Sequence, residues 1–229
     1  MASTGLGSAW ADRWPDPHAA LVESGGNYTL EGDPAALQPE DLRPLVKGFV
    51  DAPDEFIPLL RAAFPRMGVW SRAIYTLDND PTEMERPPKA EIRQLSAEDA
   101  PALENLSEES AWISKTWGGP AGLAASGRSW GAFVSEDGRQ LLASVACTFF
   151  TGRYYEDLGL VTEAGYRERG LGTACTLALC RAVRAAGRTP TWTTSTDNRP
   201  SLSVAIRLGF TPLKLDRLFV IGIPIPPAP

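Results

Sequence analysis

The residues from Tyr166 to Thr173 read Tyr-Arg-Glu-Arg-Gly-Leu-Gly-Thr, between a strand-like run and a helix-like run. Glycines in that setting let backbone N–H groups turn inward and approach an anion closely. The helix start adds partial positive charge, and Thr173 offers a hydroxyl. Chemically, this is a cradle for a pyrophosphate. It is not a P-loop, because Thr173-Ala174 stands where Lys and Ser/Thr are required. Nor is it a dinucleotide fingerprint, because Cys175 occupies the place of the third glycine.

Further residues arrive in order around this loop. Thr162 precedes it in Val-Thr-Glu-Ala-Gly-Tyr-Arg, and Asn198, Ser201 and Gly209-Phe210 follow it. Upstream, Ile92 to Asp99 reads as a short strand entering a capped helix. Together these segments resemble the GNAT superfamily of N-acetyltransferases. Arg167–Gly172 is similar to its Q/R-x-x-G-x-G/A loop and Asn198…Phe210 to its closing N-x-x-S…GF motif, and the resemblance spans residues 90 to about 222. The details resemble the branches containing glycine-N-acyltransferases and zwittermicin-type resistance enzymes.

The resemblance implies an α/β fold with a mixed sheet, the acyl-CoA N-acyltransferase fold. It implies acetyl-CoA as co-substrate and an amine acceptor, taken here to be a small molecule. Carried over by position, the backbone at Leu160, Val161 and Thr162 would pair with the pantetheine arm as an added strand. The N–H groups of Arg167, Glu168, Arg169, Gly170, Leu171, Gly172 and Thr173 would take the pyrophosphate. Asn198 would hydrogen-bond the pantetheine, and Ser201 would lie near the phosphate end. Asn198 also reads as a plain helix N-cap before Pro200, and the two roles are compatible.

An amine with a pKa near 10 is mostly protonated at neutral pH, so transfer needs a proton acceptor. The one histidine, His18, is remote in sequence, which leaves carboxylates. Glu156 and Asp157 lie on the strand leading into the loop, where family members often carry Glu. Alternation puts Glu156 on the face of Leu158, Leu160 and Thr162 and Asp157 on the opposite one, and a bulge would exchange them. Glu156 is the first candidate base and Asp157 the second; a merely solvated or capping carboxylate is the alternative. Ala205 stands where many relatives place a proton-donating Tyr, so the general acid is unassigned. Cys147, Cys175 and Cys180 have no histidine nearby to activate them and read as buried apolar side chains. With Cys175 and Cys180 turned about 140° apart on a helix, no metal site is expected.

The positioning elements follow from periodicity. Residues 1–16 read as a loose arm, and Ala19–Leu30 as a hairpin about Gly25-Gly26. A helix is expected from Pro39 through Phe49, a second over Pro53–Phe64, and a strand over Trp70–Leu77. Asp78–Lys89 is polar, contains three prolines and reads as a linker. This sets the expected domains as 1–88, a degenerate GNAT-like lobe helping to wall the acceptor site, and 89–229, the transferase domain. The alternative for 1–88 is an extension that buries a homodimer face. The second domain reads as a strand at Glu91–Leu95, a helix capped by Ser96 and Asp99 running towards Trp112, a hairpin over Trp130–Phe150, and a strand at Tyr154–Thr162. Helix Gly170–Ala186, strand Thr191–Thr196, helix Pro200–Leu208 and strand Leu213–Ile223 complete it.

The chain has 229 residues, 43% of them hydrophobic, with a net charge of −6, enough to bury a core and the wrong sign for nucleic acid. It shows no signal peptide and no membrane-spanning run, so a cytoplasmic enzyme is expected. The rival reading from another class is a non-catalytic acetyl-CoA-binding sensor or interaction module, towards which Ala205 leans.

Overall fold

The computed structural model describes residues 5–226. In chain order the strands and α-helices are β1 (Ser8–Ala11), β2 (Ala19–Ser24), β3 (Asn27–Gly32), α1 (Pro39–Leu42), β4 (Gly48–Asp51), α2 (Ile57–Ala63), β5 (Gly68–Thr76), β6 (Ala90–Gln94), α3 (Ala100–Glu104), α4 (Pro120–Ala125), β7 (Ser129–Glu136), β8 (Arg139–Thr151), β9 (Tyr155–Thr162), α5 (Leu171–Ala185), β10 (Thr189–Ser195), α6 (Arg199–Arg207) and β11 (Thr211–Ile221). They form two compact units. The first holds the described residues up to Arg72, Ser195–Asp197 and those from Leu215 on; the second holds Ala73–Thr194 and Asn198–Lys214.

In the first unit the strands lie in the order β1-β2-β3-β4-β11. β2 and β3 make the expected hairpin, while β4 runs parallel to β3. The supposed N-terminal arm includes β1, which pairs antiparallel with β2 through Trp10↔Leu21. The helix expected through Phe49 stops at Leu42, ahead of Pro44, which has no N–H to donate to a continuing helix. Phe49 instead belongs to β4. Gly48 opens that strand at φ 154°, and a Cβ there would sit 2.1 Å from the Gly26 carbonyl oxygen, so only glycine fits. Leu30, Leu42, Val50, Phe56 and Leu60 are fully or almost fully buried, and Phe219 and Ile221 from β11 complete the same core.

The second unit orders its strands β5-β10-β9-β8-β7-β6. β6 to β9 form an antiparallel meander, and β10 adds parallel to β9. This is a mixed sheet with helices, as expected. Leu158 packs with Leu171, Cys175, Leu179 and Val183 of α5. On the other face Val161 packs with Ile113, in the 3-10 segment Ala111–Trp117, and with Leu123 of α4. Ser96 and Asp99 form the expected capping box, but α3 ends at Glu104 rather than reaching Trp112.

The observed division differs from the expected boundary at residue 88/89 for two physical reasons. The polar 78–89 segment is strapped to the second unit: Arg184 Nε meets Asp80 at 3.1 Å, Arg181 pairs with Glu83, and the Thr82 N–H donates to the Leu208 carbonyl at 3.0 Å. At the other end β11 returns Leu215–Ile221 to the first unit, where Phe219 pairs with Val50. Among the described residues no helix is long and apolar enough to cross a membrane.

Candidate functional site

β9 and β10 part company halfway along. Their parallel ladder runs from Tyr155↔Thr189 to Leu158↔Trp192 and stops, although both strands continue. Among the described residues the β9 edge facing β10 is therefore without a ladder partner over Gly159–Thr162, while its other edge stays paired to β8 through Leu160↔Ala146 and Val161↔Val145. An open strand edge offers backbone donors and acceptors in register for an extended ligand. Leu160, Val161 and Thr162 all lie on it.

Beyond that edge comes the loop. Glu168 and Gly170 both adopt the left-handed conformation, at φ 64° and φ 76°, which turns the backbone sharply into α5. Gly170 is the N-cap of α5 and supplies no side-chain acceptor. The first intrahelical bond shown, Ala174 N–H to the Gly170 carbonyl, is 3.0 Å, so the N–H groups of Leu171, Gly172 and Thr173 precede the helical ladder. Gly172 is there because the helix start approaches β9 closely. A Cβ on it would meet Thr162 Oγ1 at 3.0 Å and the Leu160 methyls at 3.1 and 3.2 Å. Arg167 and Arg169 brace the loop on carbonyls, Arg167 Nε donating to Thr162 at 3.2 Å and an Arg169 guanidinium nitrogen to Gly165 at 2.7 Å.

Asn198 and Ser201 carry local structure. Asn198 caps α6 by accepting the Ser201 N–H at 3.0 Å, and Ser201 Oγ accepts the Trp192 indole N–H at 2.9 Å. Trp192, next to the point where the ladder ends, is also held edge-on by Phe210 at 5.8 Å. Ala205 is fully buried in the core against α5.

The two candidate carboxylates occupy opposite environments. Glu156, on the Leu158 side of β9, is completely buried. Its Oε1 accepts from Arg128 and Arg188, each at 2.5 Å, and its Oε2 accepts from Thr148 Oγ1 at 2.6 Å. Burial pushes this carboxyl up, but Thr148, Arg188 and Arg128 together outweigh burial and hold it below its usual value. Asp157 is half-buried on the other face, where Thr191 and Thr193 hydroxyls donate to its Oδ1 at 3.0 and 2.9 Å. Gly159 shares that face and is buried; Ile113 and Trp112 pack so closely on it that a Cβ would lie 2.9 and 3.4 Å from them.

The three cysteines are buried and free. Burial raises the Cys147 thiol and pushes Cys175 and Cys180 up to about 12, so none offers a thiolate near neutral pH. Among the described residues no three His, Cys, Asp or Glu side chains converge. Sequence reasoning missed the Arg128–Glu156–Arg188 cluster, since its arginines lie 28 and 32 residues from Glu156. It also missed the register shift in β8 between Thr148 and Phe150.

Comparison with known proteins gives a consistent picture. The GNAT acetyltransferase family model matches residues 1–214. An uncharacterized N-acetyltransferase in the mutA 5′ region of Streptomyces virginiae is 44% identical over 186 residues, 81% of this chain and 77% of that protein. A GCN5-related N-acetyltransferase-like protein from Streptococcus suis superposes with a TM-score of 0.70 at 16% identity, over 95% of this chain and 89% of its own. A tandem GNAT protein from the clavulanic acid biosynthesis pathway gives 0.58 at 16% identity, over 96% and 84%. At such identities the two structures are similar in fold alone.

Proposed function

This chain belongs to the GNAT acetyltransferase family and is an acyltransferase, and we propose that it moves an acetyl group from acetyl-CoA to the amine of a small molecule. The observation that carries the proposal is the open β9 edge over Gly159–Thr162 leading directly into the uncapped N-terminus of α5. A ligand that is part extended amide chain and part pyrophosphate fits such a sequence of groups. The Leu160–Thr162 backbone holds the chain, and the N–H groups from Arg167 to Thr173 hold the phosphates. Acetyl-CoA bound there supplies the thioester carbonyl that an amine attacks.

The residues then divide the remaining work. Asp157, half-buried and fixed by two threonine hydroxyls, accepts the amine proton directly or through water. Glu156 is a positioning residue: a carboxylate saturated by two guanidinium groups and a hydroxyl is a poor base, and it anchors the start of β9. Asn198 and Ser201 support the cofactor site by fixing the start of α6 beside Trp192. Ala205 has no proton to give, and a thiolate with a conjugate pKa near 8.5 leaves without one.

The first unit fits a GNAT-like lobe that has lost its anion site. After β3 the Asp33 carboxylate caps Ala35 N–H at 2.9 Å, putting a negative charge where the second unit has glycine amides. The similar tandem GNAT protein supports this reading.

Acetyl-CoA titrated calorimetrically into wild type and Gly172→Asp tests the cofactor site. The aspartate crowds Leu160 and Thr162 and adds charge at the phosphates, so binding should vanish while the far-UV spectrum persists. Unchanged affinity in a folded variant refutes the assignment. Release of CoA thiol across a panel of amines tests catalysis. Tight acetyl-CoA binding with no amine-stimulated release would favour the second reading, a non-catalytic binding module, for which the buried Ala205 speaks.

A further inference from the structure

The face of β9 that carries Asp157 also carries aromatic side chains that no core requirement explains. Phe150 stands directly opposite Asp157 in the β8–β9 ladder, and opposed residues of an antiparallel pair share a face. The register shift between Thr148 and Phe150 leaves Phe149 as an extra residue, and such an irregularity re-aims side chains. Its consequence is visible in the packing. Phe149 Cβ lies 3.5 Å from where a Gly159 Cβ would be, and its ring stacks edge-on against Phe150 at 4.9 Å and Trp112 at 5.3 Å. Phe150 and Trp112 remain 37% and 36% exposed, large for aromatic rings beside a buried sheet. Gly159 lets this cluster settle onto the sheet, since a Cβ there would come within 2.9 Å of Ile113 and 3.4 Å of Trp112.

Building on the reading of this site as an amine transferase, we infer that Trp112, Phe149 and Phe150 form the acceptor subsite and select a primary amine on an aromatic or branched-alkyl carrier. The ammonium is drawn to the Asp157 carboxylate and to the ring faces, and the chain's net charge of −6 favours approach of a cation. The three rings offer far more apolar area than an ammonium alone can cover, so the carrier is apolar as well. A polyhydroxylated amine is a poor match, because Thr191 and Thr193 have already committed their hydroxyl hydrogens to Asp157. An amine bearing a carboxylate is opposed by Asp157 itself.

The test uses the full chain with CoA bound, and follows phenethylamine, ethanolamine and glucosamine by calorimetry and, with acetyl-CoA, by thiol release. Phenethylamine is expected to bind at least about tenfold more tightly than the two polar amines and to show the larger kcat/KM. Phe150→Ala, at an exposed position that leaves folding intact, should weaken phenethylamine about threefold to tenfold through KM and weaken ethanolamine distinctly less. Phe149→Ala should act in the same direction. Phenethylamine bound but never acetylated would uphold the subsite and refute transfer. Equal turnover of glucosamine, or equal losses for all amines in Phe150→Ala, would overturn the subsite and leave transfer standing. Failure of phenethylamine to bind at all would also overturn it.

Discussion

Exchanging one oxygen for nitrogen at Glu156 and at Asp157 should give opposite phenotypes. In Glu156→Gln an amide oxygen at the Oε1 position still accepts from both arginines and the NH2 group faces the Thr148 hydroxyl, but the negative charge between two guanidinium groups is lost. Removing one partner of a buried pair costs about 3–5 kcal/mol. Here Arg128 and Arg188 are 34% and 28% exposed and recover part of that by turning to solvent. A loss of roughly 2–3 kcal/mol follows, which for a chain of this size lowers Tm by roughly 5–10 °C. Below the transition, kcat/KM should fall less than about tenfold, since general-base loss is the larger effect. In Asp157→Asn the side-chain oxygen still accepts from Thr191 and Thr193, so stability should change by less than about 1 kcal/mol. The rate should drop by about 10²–10⁴-fold, roughly 3–5 kcal/mol of barrier. Thermal unfolding of both variants and thiol release at saturating acetyl-CoA measure the two axes separately. Wild-type Tm with a hundredfold slower Glu156→Gln, or full activity in Asp157→Asn, would refute the division of roles.

Asp99, paired to Arg93 Nη2 at 2.6 Å and capping Ser96, is held by Arg93 at about 2 against 3.8 for a free carboxyl. Its folded value is depressed, so its contribution is present above about pH 4 and lost as pH falls towards 2; Asp99→Asn should lower stability by about 1–2 kcal/mol at neutral pH, and the urea midpoints of variant and wild type should converge as pH falls from about 4 towards 2. A chain ending at Lys214 loses Phe219, Val220 and Ile221, which are 2, 3 and 4% exposed. Burial of each is worth about 1.5–3 kcal/mol, so the first unit should fail to fold, with loss of near-ultraviolet dichroism as the sign. Ala205→Tyr would force a ring into a filled core and should destabilise by about 1–3 kcal/mol without raising the rate, whereas Ala205→Ser should be nearly silent in both Tm and kcat.

How far the sequence spoke depended on the range of the interaction. The α5 start was legible because Gly170 acts within its own turn and Gly172 answers to Leu160 and Thr162, which lie shortly before it in sequence. The capping box at Ser96 was legible for the same reason, since its partners lie three residues apart. The helix expected through Phe49 failed although its apolar spacing is helical, because Pro44 ends α1 and the contact that places Gly48 and Phe49 in β4, Gly48 against the Gly26 carbonyl, is distant in sequence. The passage of β11 into the first unit was illegible in principle: Phe219 meets Val50 across most of the chain, and no local signal marks that pairing.

The carboxylates show the limit most clearly. Alternation correctly separates Glu156 from Asp157, yet it is silent on which face reacts. That depends on what covers each face. α5 covers the side of Leu158; on the opposite side the Ala111–Trp117 segment lies on Gly159, while Trp112 and Phe150 stay 36% and 37% exposed and Asp157 half-buried. Buried on the covered side, a carboxylate must be neutralised, and the fold supplies Arg128 from the start of β7 and Arg188 from the end of α5. On the other side Asp157 accepts from the Thr191 and Thr193 hydroxyls. Two adjacent acids on one strand are thus set in different surroundings by the layers above and below them, which is the ground for proposing Asp157 rather than Glu156 as the proton acceptor.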